Sequence, residues 1–463
     1  MMRTHTCGEL RPADAGKAVT LCGWVATKRD HGGVLFLDLR DRHGLTQATF
    51  RTEKDAALYE KARHLPLEGV VAVSGAVEAR PAEKANPRLP TGGVELSAAS
   101  LEVLNGCGPL PFEIADGPVS NELRLAHRYL DLRRPRMQRN LMARHRLALA
   151  IRKAFDVEGF AEIETPILYK STPEGAREYL VPSRVNRGQF YALPQSPQVF
   201  KQLCMVAGLD RYVQIARCFR DEDLRADRQP EFTQVDVEMS FVDRDDVFRV
   251  IEGVLAAAWR EVLGEALPVP FPRVPYAEVM LKYGSDKPDR RFGMEISDVT
   301  DLVKGCPFRV FAEAPLVRAL AAPGGAALTR KQIDELVAFC AASGAKGLAW
   351  LKAGAEGGID KFLPPELKAA LAQRLGGKPG DLLCFVADRQ AVCEKALGSL
   401  RLELAKRLQL KPARAWDLLW VVDFPLFLEQ DGRLVSSQHP FTAAHPDDAG
   451  LLESEPLKAR SLQ

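Results

Sequence analysis

The stretch RYVQIARCFRDEDLRADRQPEFTQVDVEMSF, residues 211 to 241, constrains this chain more than any other. It alternates with a period of two on either side of a charged loop. In a strand, side chains two apart share a face. Gln214, Ala216, Cys218 and Arg220 therefore share one face of a first strand, with Val213, Ile215 and Phe219 opposite. On a second strand Phe232, Gln234, Asp236 and Glu238 share a face, backed by Val235, Val237, Met239 and Phe241. Each strand thus offers an apolar face to a core and a polar face to something else. An arginine grips phosphate bidentately, a ring stacks on a base, and carboxylates hold an ammonium. The polar face has the parts for a nucleotide and an amino acid. A solvated hairpin is also polar on its outer face by default, so this face has two readings. The loop DEDLRADRQPE equally suits an exposed turn.

A second element adds to the first. In ALPQSPQVFKQLCMV, Ser196 is suited to cap a helix and Pro197 to its first turn. Gln198 and Lys201 then share a helix face, with Gln202 one turn from Gln198. A lysine beside a glutamine can grip a carboxylate. Upstream, STPEGAREYLVPS is marked by Gly and Pro and carries Glu174; it reads as a mobile lid or as a plain loop.

Bulk properties set the frame. At 463 residues, and roughly 150 per domain, about three domains are expected. Basic and acidic residues nearly cancel, 63 against 61, so any contact with nucleic acid must be local rather than a bulk coating. The nine cysteines form no CxxC pair, which argues against zinc ribbons and disulfide frameworks. The first residues, MMRTHTCGELRPADAGK, lack an apolar signal core, and no apolar run is long enough to span a bilayer. A cytoplasmic protein without a membrane partner is expected.

Residues 1–107 read as five short strands with the helical stretch KDAALYEKARHL after the third, the pattern of an OB-fold or another small barrel. Residues 108–135, rich in Pro and Gly and then charged, read as a hinge. From 136 to 285 the texture is mixed. RNLMARHRLALAIRKAFDVEGF places Leu147, Ile151 and Phe155 in helical step before a stop at Gly159. Residues 286–421 alternate Ala-rich helices with short strands, as an inserted α+β domain would. Residues 422–463 resume the strand texture that begins near Trp420.

These segments together resemble the class II aminoacyl-tRNA synthetases, in the bacterial aspartyl form. FRDEDLRADRQPEFTQVD is similar to motif 2, and RNLMARHRLALAIRKAFDVEGFAEIETPIL, ending on Pro166, is similar to motif 1. ALPQSPQVFKQ and STPEGAREYLVPSR resemble the aspartate-binding helix and the flipping loop. LCGWVATKRDHGG resembles the opening of the anticodon-binding barrel. YGSDKPD with GGAALTRKQIDEL resembles the bacterial insertion. Class I signatures and a Walker P-loop are both absent. The fold class implied is multidomain α+β: an N-terminal OB-fold β-barrel, an antiparallel-sheet catalytic domain, expected to be incomplete, and an inserted α+β domain.

The resemblance implies that ATP and L-aspartate form aspartyl-adenylate, whose aspartyl group passes to the terminal adenosine of tRNA(Asp). It assigns Arg220 to the α-phosphate, the substrate carboxylate and the transition state. Asp221, Glu222, Gln229 and Phe232 are assigned to ATP, with Phe232 stacked on adenine. Glu174 and Asp236 would hold the ammonium of aspartate, and Gln198 and Lys201 would read its side-chain carboxylate. Lys201 is then the discriminator against asparagine. In the barrel, Arg29, Phe36 and Gln47 would read the anticodon, with Phe36 stacked on a base. The pattern GVLFLDL by itself favours Phe36 as a core residue of the barrel. Motif 1 implies a homodimer.

Two departures from the family pattern stand out. SSQHPFT resembles the loop that closes over aspartate, where the family has two adjacent histidines; here Gln438 stands in for the first and His439 keeps the second. The chain also ends before a segment resembling motif 3, which in the family supplies an acid for the Mg2+ of ATP and two arginines. The expectation is therefore that the Mg2+ ligands lie outside these residues and that the chain is an inactive fragment, or else a tRNA-binding paralogue without chemistry. A finer inference concerns His31. Family members that charge both tRNA(Asp) and tRNA(Asn) resemble this chain in having histidine there, while strict members have leucine, and lysine near the position of Glu83. His31 equally suits an ordinary loop.

Overall fold

Alternation in the first hundred residues becomes five strands: β1 (Ala18–Asp30), β2 (Val34–Asp41), β3 (Gly44–Arg51), β4 (Val70–Ala79) and β5 (Val94–Asn105), with helix α1 (Ala56–Arg63) between β3 and β4. They close in the order β1-β2-β3-β5-β4, so no sheet edge is left open. This is a computed structural model describing residues 2–172, 174–223, 228–439 and 442–462, and it divides into two units, Met1–Ala150 and Ile151–Gln463. Leu21 and Val25 of β1, Leu35, Leu37 and Leu39 of β2, Phe50 of β3 and Val71, Val73 and Val77 of β4 point inward. The Asp55 carboxylate caps α1 by accepting from Leu58 N at 2.9 Å.

The segment expected as a hinge is anchored to the barrel at its far end. It contains helices α2 (Asn121–Ala126) and α3 (Arg128–Asp131). Asp131 is fully buried and paired with Arg124 at 2.8 Å, Arg128 at 2.5 Å and Arg134 at 3.5 Å. Arg133 reaches Glu68 at 3.0 Å and lies over the Trp24 ring. A charged sequence that reads as a linker is here held by paired charges.

Helix α4 (Pro135–Val157) follows. Ile151 and Phe155 are buried as its periodicity predicts, and Gly159 takes the left-handed conformation at φ +78°. Leu147, expected on the same face, is instead exposed, because the apolar cluster begins only at Ile151.

In the second unit, β6 (Ala161–Glu162) is followed by a small hairpin of β7 (Leu180–Pro182) and β8 (Phe190–Ala192), then α5 (Gln198–Val206), β9 (Arg211–Phe219), β10 (Glu231–Met239) and α6 (Arg244–Leu263). The sheet order is β10-β9-β6. Asp243 and Asp246 form a capping box at the start of α6, and Gly264 ends it in the left-handed conformation. Val213, Val250, Val254 and Ala258 join Ile151, Phe155 and Phe160 in one cluster, with Val237 and Met239 at its margin.

The hairpin's faces are not divided as the alternation suggests. Ala216, Cys218 and Asp236, on the polar face, are buried, whereas Val235 is 44% and Phe241 97% exposed. The reason is tertiary: α5 lies against the polar face of β9 and β10, and the apolar cluster reaches only their Val213–Val237 end.

The insertion forms a four-stranded antiparallel sheet. Its order is Ser297–Asp298, Val317–Ala322, Leu382–Ala387 and Ala349–Lys352. Both faces are covered, which explains unbroken apolar runs such as LLCFVA. Leu320, Cys384 and Val386 meet Leu336, Cys340 and Leu397 on one side. Val317, Leu383 and Phe385 meet Phe311 and Leu371 on the other. Arg290 holds Asp417 through two hydrogen bonds of 2.7 and 2.9 Å, tying the insertion's entry to its exit. Trp420–Val422 then pairs in parallel with Arg273–Pro275.

Candidate active site

Strand register brings the motif residues together. Phe232 lies opposite Cys218, and Asp236 opposite Gln214. The next residue beyond β9, Arg220, is fixed by its own N–H to the Pro230 carbonyl at 2.9 Å. Its guanidinium carbon lies 5.2 Å from the centre of the Phe232 ring, a cation–π distance. Arg220, Glu222, Asp223, Arg228, Gln229, Phe232 and Thr233 line one cavity of about 460 Å³. Four residues singled out for ATP, Arg220, Glu222, Gln229 and Phe232, therefore share its wall. Asp221 does not: its backbone N–H binds the Arg177 carbonyl at 2.9 Å, and its side chain is exposed.

Lys201 comes from α5 to the neighbouring part of the same face. Its Nζ lies 2.9 Å from Asp236 Oδ1 and 3.4 Å from Glu238 Oε2. Asp236 sits in a largely desolvated place, and burial raises its pKa while the nearby Lys201 opposes the rise. Its other oxygen, Oδ2, is buried without a hydrogen-bond partner, as is Arg220 Nε. Native proteins rarely leave such groups unmatched, and two side by side suit a place where a polar ligand, an ion or water is received. Gln198, on the same helix, is partly buried.

Ser196 is not the cap of α5; Pro197 occupies that position with no side-chain capping bond. The Ser196 hydroxyl instead donates to Glu174 Oε2 at 2.6 Å, and Thr172 donates to Glu174 Oε1 at 3.3 Å. The segment around Glu174, read as lid or loop, is held by Gln195. That amide exchanges two bonds with the Ala176 backbone, at 2.9 and 3.0 Å. Gln195 was missed in the sequence, where a buried glutamine beside Pro194 and Ser196 looks like loop polarity. Pro173, within the segment, lies outside the described residues, as do residues 224–227 of the charged loop.

Two further groups had no role assigned from the sequence. Tyr212 is fully buried beside Asp236 and donates to Gln214 at 2.6 Å. Cys218 is fully buried 3.0 Å from Gln234 Oε1, and burial pushes its thiol up to about 11, so it is protonated and inert at neutral pH. Gln438 and His439 follow the hairpin of Phe427–Gln430 and Arg433–Ser436, and neither lines the Arg220 cavity. Their neighbours Pro440 and Phe441 lie outside the described residues.

In the barrel, Arg29 donates to both Asp38 oxygens at 3.1 Å and to Gln47 Oε1 at 3.2 Å. Gln47 donates onward to Glu95 at 3.2 Å. Phe36 faces outward, because Leu35, Leu37 and Leu39 take the core positions of β2; the core reading of Phe36 is thereby corrected. The exposed His31 meets its ring edge-on at 5.6 Å. Arg29, Phe36 and Gln47 are thus gathered beside His31, while Glu83 lies in the exposed turn Ala82–Lys84.

A larger cleft, about 880 Å³, lies in the insertion over Phe311 and Phe385. Its lining lacks the buried unmatched polar atoms found near Lys201, so the chemistry points to the smaller cavity. Among the described residues no group of three or more His, Cys, Asp or Glu side chains is placed to hold a metal ion. No helix of the described residues is long and apolar enough to cross a membrane.

Comparison with known proteins agrees with this geometry. Residues 120–462 match the family model of tRNA synthetases class II (D, K and N), and residues 19–104 match that of the OB-fold nucleic acid binding domain. An aspartate–tRNA(Asp/Asn) ligase of Moorella thermoacetica is 54% identical over 99% of this chain and 78% of its own length. That of Symbiobacterium thermophilum is 54% identical over 97% and 78%. Coverage of this kind does not measure activity, and the expectation of an inactive fragment finds no support in it. An asparaginyl-tRNA synthetase from Pyrococcus horikoshii, solved with asparaginyl-adenylate, shares the fold with a TM-score of 0.55 and 22% identity. That match covers 90% of this chain and all of that one.

Proposed function

Because this chain belongs to the class II tRNA synthetases (D, K and N), with an OB-fold barrel before a class II catalytic domain, we propose that it is an aspartate–tRNA ligase. The observation that carries the choice of amino acid is Lys201, held between Asp236 and Glu238 at the floor of the site. A zwitterion with a second carboxylate satisfies this arrangement. Its ammonium takes Asp236, including the unmatched Oδ2, with Glu174 beside it. Its side-chain carboxylate takes Lys201 and Gln198. Asparagine leaves the Lys201 charge without an anion, which in a desolvated place is the stronger discrimination.

In the first step the α-carboxylate oxygen of aspartate attacks the α-phosphorus of ATP, and pyrophosphate leaves. Arg220 spans both reactants, neutralising charge on the α-phosphate as it develops. Phe232 stacks on adenine and Glu222 and Gln229 border the nucleotide. Mg2+ accompanying the ATP substrate would supply further neutralisation of phosphate charge. In the second step the terminal ribose hydroxyl of tRNA attacks the aspartyl carbonyl carbon, and AMP leaves.

The barrel face of Arg29, Phe36 and Gln47 fits a splayed anticodon, with the partly exposed Phe36 ring as the stacking platform. His31, beside Phe36, supports the relaxed type that charges tRNA(Asn) as well as tRNA(Asp). Motif 1 supports a homodimer. Purified tRNA(Asn) tests the relaxed type: no detectable aspartylation of it, under conditions that charge tRNA(Asp), removes that reading.

The amino-acid assignment is tested by calorimetric binding of non-hydrolysable adenylate analogues. The aspartyl analogue is expected to bind at least tenfold more tightly than the asparaginyl and lysyl ones. Equal binding of the three overturns the role given to Lys201.

A further inference from the structure

The β7–β8 hairpin has a composition that the amino-acid and ATP sites do not use. Its span, LVPSRVNRGQFYA, holds two arginines and no acid. Arg184 and Arg187 lie in the exposed turn, and among the described residues neither forms an ion pair or hydrogen bond through its side chain. By contrast Glu178, on the way into the arm, is matched by Ser171 and Thr172. Val185 is 84% and Phe190 58% exposed on the same arm. The turn itself is ordered from within, by Asn186 N–H to Ser183 Oγ at 3.0 Å and Ser183 N–H to the Gln189 carbonyl at 2.9 Å.

The base of the arm is part of the site. Tyr169 pairs with Ala192, and Leu193 N–H binds the Tyr179 carbonyl at 2.9 Å. The chain enters the arm from the Glu174 segment and leaves it towards Gln195 and Ser196. Three strand residues at roughly 3.3 Å each carry the tip about 10 Å beyond that rim.

We infer that the β7–β8 arm docks the acceptor end of RNA, with Arg184 and Arg187 on backbone phosphates and Phe190 under an unpaired base. Unpaired arginines beside an exposed ring are what a single strand requires, since phosphate supplies the affinity and every base has a face to stack. The inference rests on the tRNA reading above. It identifies which surface receives the acceptor end, a role that the anticodon barrel cannot fill.

The test is direct binding of a tRNA(Asp) transcript to the 463-residue chain as salt is raised. The variants are Arg184→Ala/Arg187→Ala, Arg184→Lys/Arg187→Lys and Phe190→Ala. The alanine pair is expected to lower the slope of log K against log salt by about 1.4 to 1.8, the value for two phosphates, and the lysine pair to keep most of it. Phe190→Ala is expected to weaken binding about tenfold. All three should bind the aspartyl-adenylate analogue as the parent does. The differences should vanish on a transcript without its single-stranded 3′ end. If the parent binds the transcript and the alanine pair binds it with the same slope, the inference is overturned while the ligase reading stands. If the parent binds no transcript, the tRNA reading itself fails and the inference with it. A shift from dimer to monomer in sedimentation, with the RNA slope unchanged, overturns it in favour of a contact between copies.

Discussion

Lys201 Nζ lies 2.9 Å from Asp236 Oδ1, and both side chains are about nine-tenths buried, although they come from a helix and a strand 35 residues apart. The pair leaves capacity for a further donor, because the second oxygen of Asp236 has the Tyr212 hydroxyl beside it but that hydroxyl donates to Gln214. Removing one member of such a pair leaves the other charge without its partner in a poorly solvated place. Lys201→Met is therefore expected to weaken the aspartyl-adenylate analogue at least a hundredfold, a change of about 2.7 kcal/mol. The asparaginyl analogue should lose much less. Calorimetry on both analogues checks this.

The same pair sets a pH dependence. Burial raises the Asp236 pKa above the ordinary carboxylate value, and Lys201 opposes it. Ammonium binding needs the ionised form, so affinity for the analogue should fall on acidification at a higher pH than for an exposed aspartate. For a raised carboxyl, the contribution to stability is present below the unfolded value and is lost as pH rises through the folded one. Lys201→Met removes the opposing charge, so the acid limb of binding should move to still higher pH. An unmoved limb in a titration of analogue binding would show that another group governs it.

Arg220 combines a stacked ring contact with an unmatched buried Nε. A lysine keeps the charge and loses the planar fork. Arg220→Lys and Arg220→Ala are both expected to weaken the adenylate analogue tenfold or more, with lysine recovering only part of the loss. Full recovery by lysine would reduce the role to a point charge.

In the barrel, Phe36 and Leu37 are adjacent and do different things. Phe36→Ala should weaken an anticodon stem-loop by about 1 to 3 kcal/mol and leave the melting temperature nearly unchanged. Leu37→Ala, in the sealed core, should destabilise the protein by about 2 to 5 kcal/mol. Binding and thermal unfolding of the two variants separate these effects.

A last prediction concerns the insertion. Gly398, in the helix Gln390–Arg407, faces Gly284 so closely that a Cβ would stand 2.7 Å from the Gly284 carbonyl oxygen and 2.8 Å from that of Tyr283. Alanine in a helix ordinarily gains about 1 kcal/mol over glycine. Here the clash is with backbone that cannot swing away, so Gly398→Ala should destabilise by about 1 to 3 kcal/mol in urea unfolding.

Much of this molecule was legible in its residues. The barrel strands and their helix fell where alternation and turn residues put them, because a period of two with one buried face fixes register. The class II motifs were readable because they are contiguous: Arg220, Glu222, Gln229 and Phe232 sit in one hairpin, and local geometry alone delivers them to one cavity. Asp221, in the same run, stands off that cavity wall, with its backbone N–H on the Arg177 carbonyl. Leu147 was misplaced because helical periodicity names a face without saying how far along it a neighbour extends.

The sequence by itself determined the elements, their faces and the chemical inventory, since these follow from short-range sterics and from the repeat of apolar residues. Only the tertiary structure decided which polar groups lose their water. Asp236, Cys218 and Tyr212 look like the wet side of a hairpin until α5 lies over them, and desolvation is what turns Lys201 and Asp236 into a selective pair. Gln195 likewise acquires its role only from the Ala176 backbone across from it. Burial and pairing depend on which elements meet, and that is a property of the whole fold rather than of any stretch of residues.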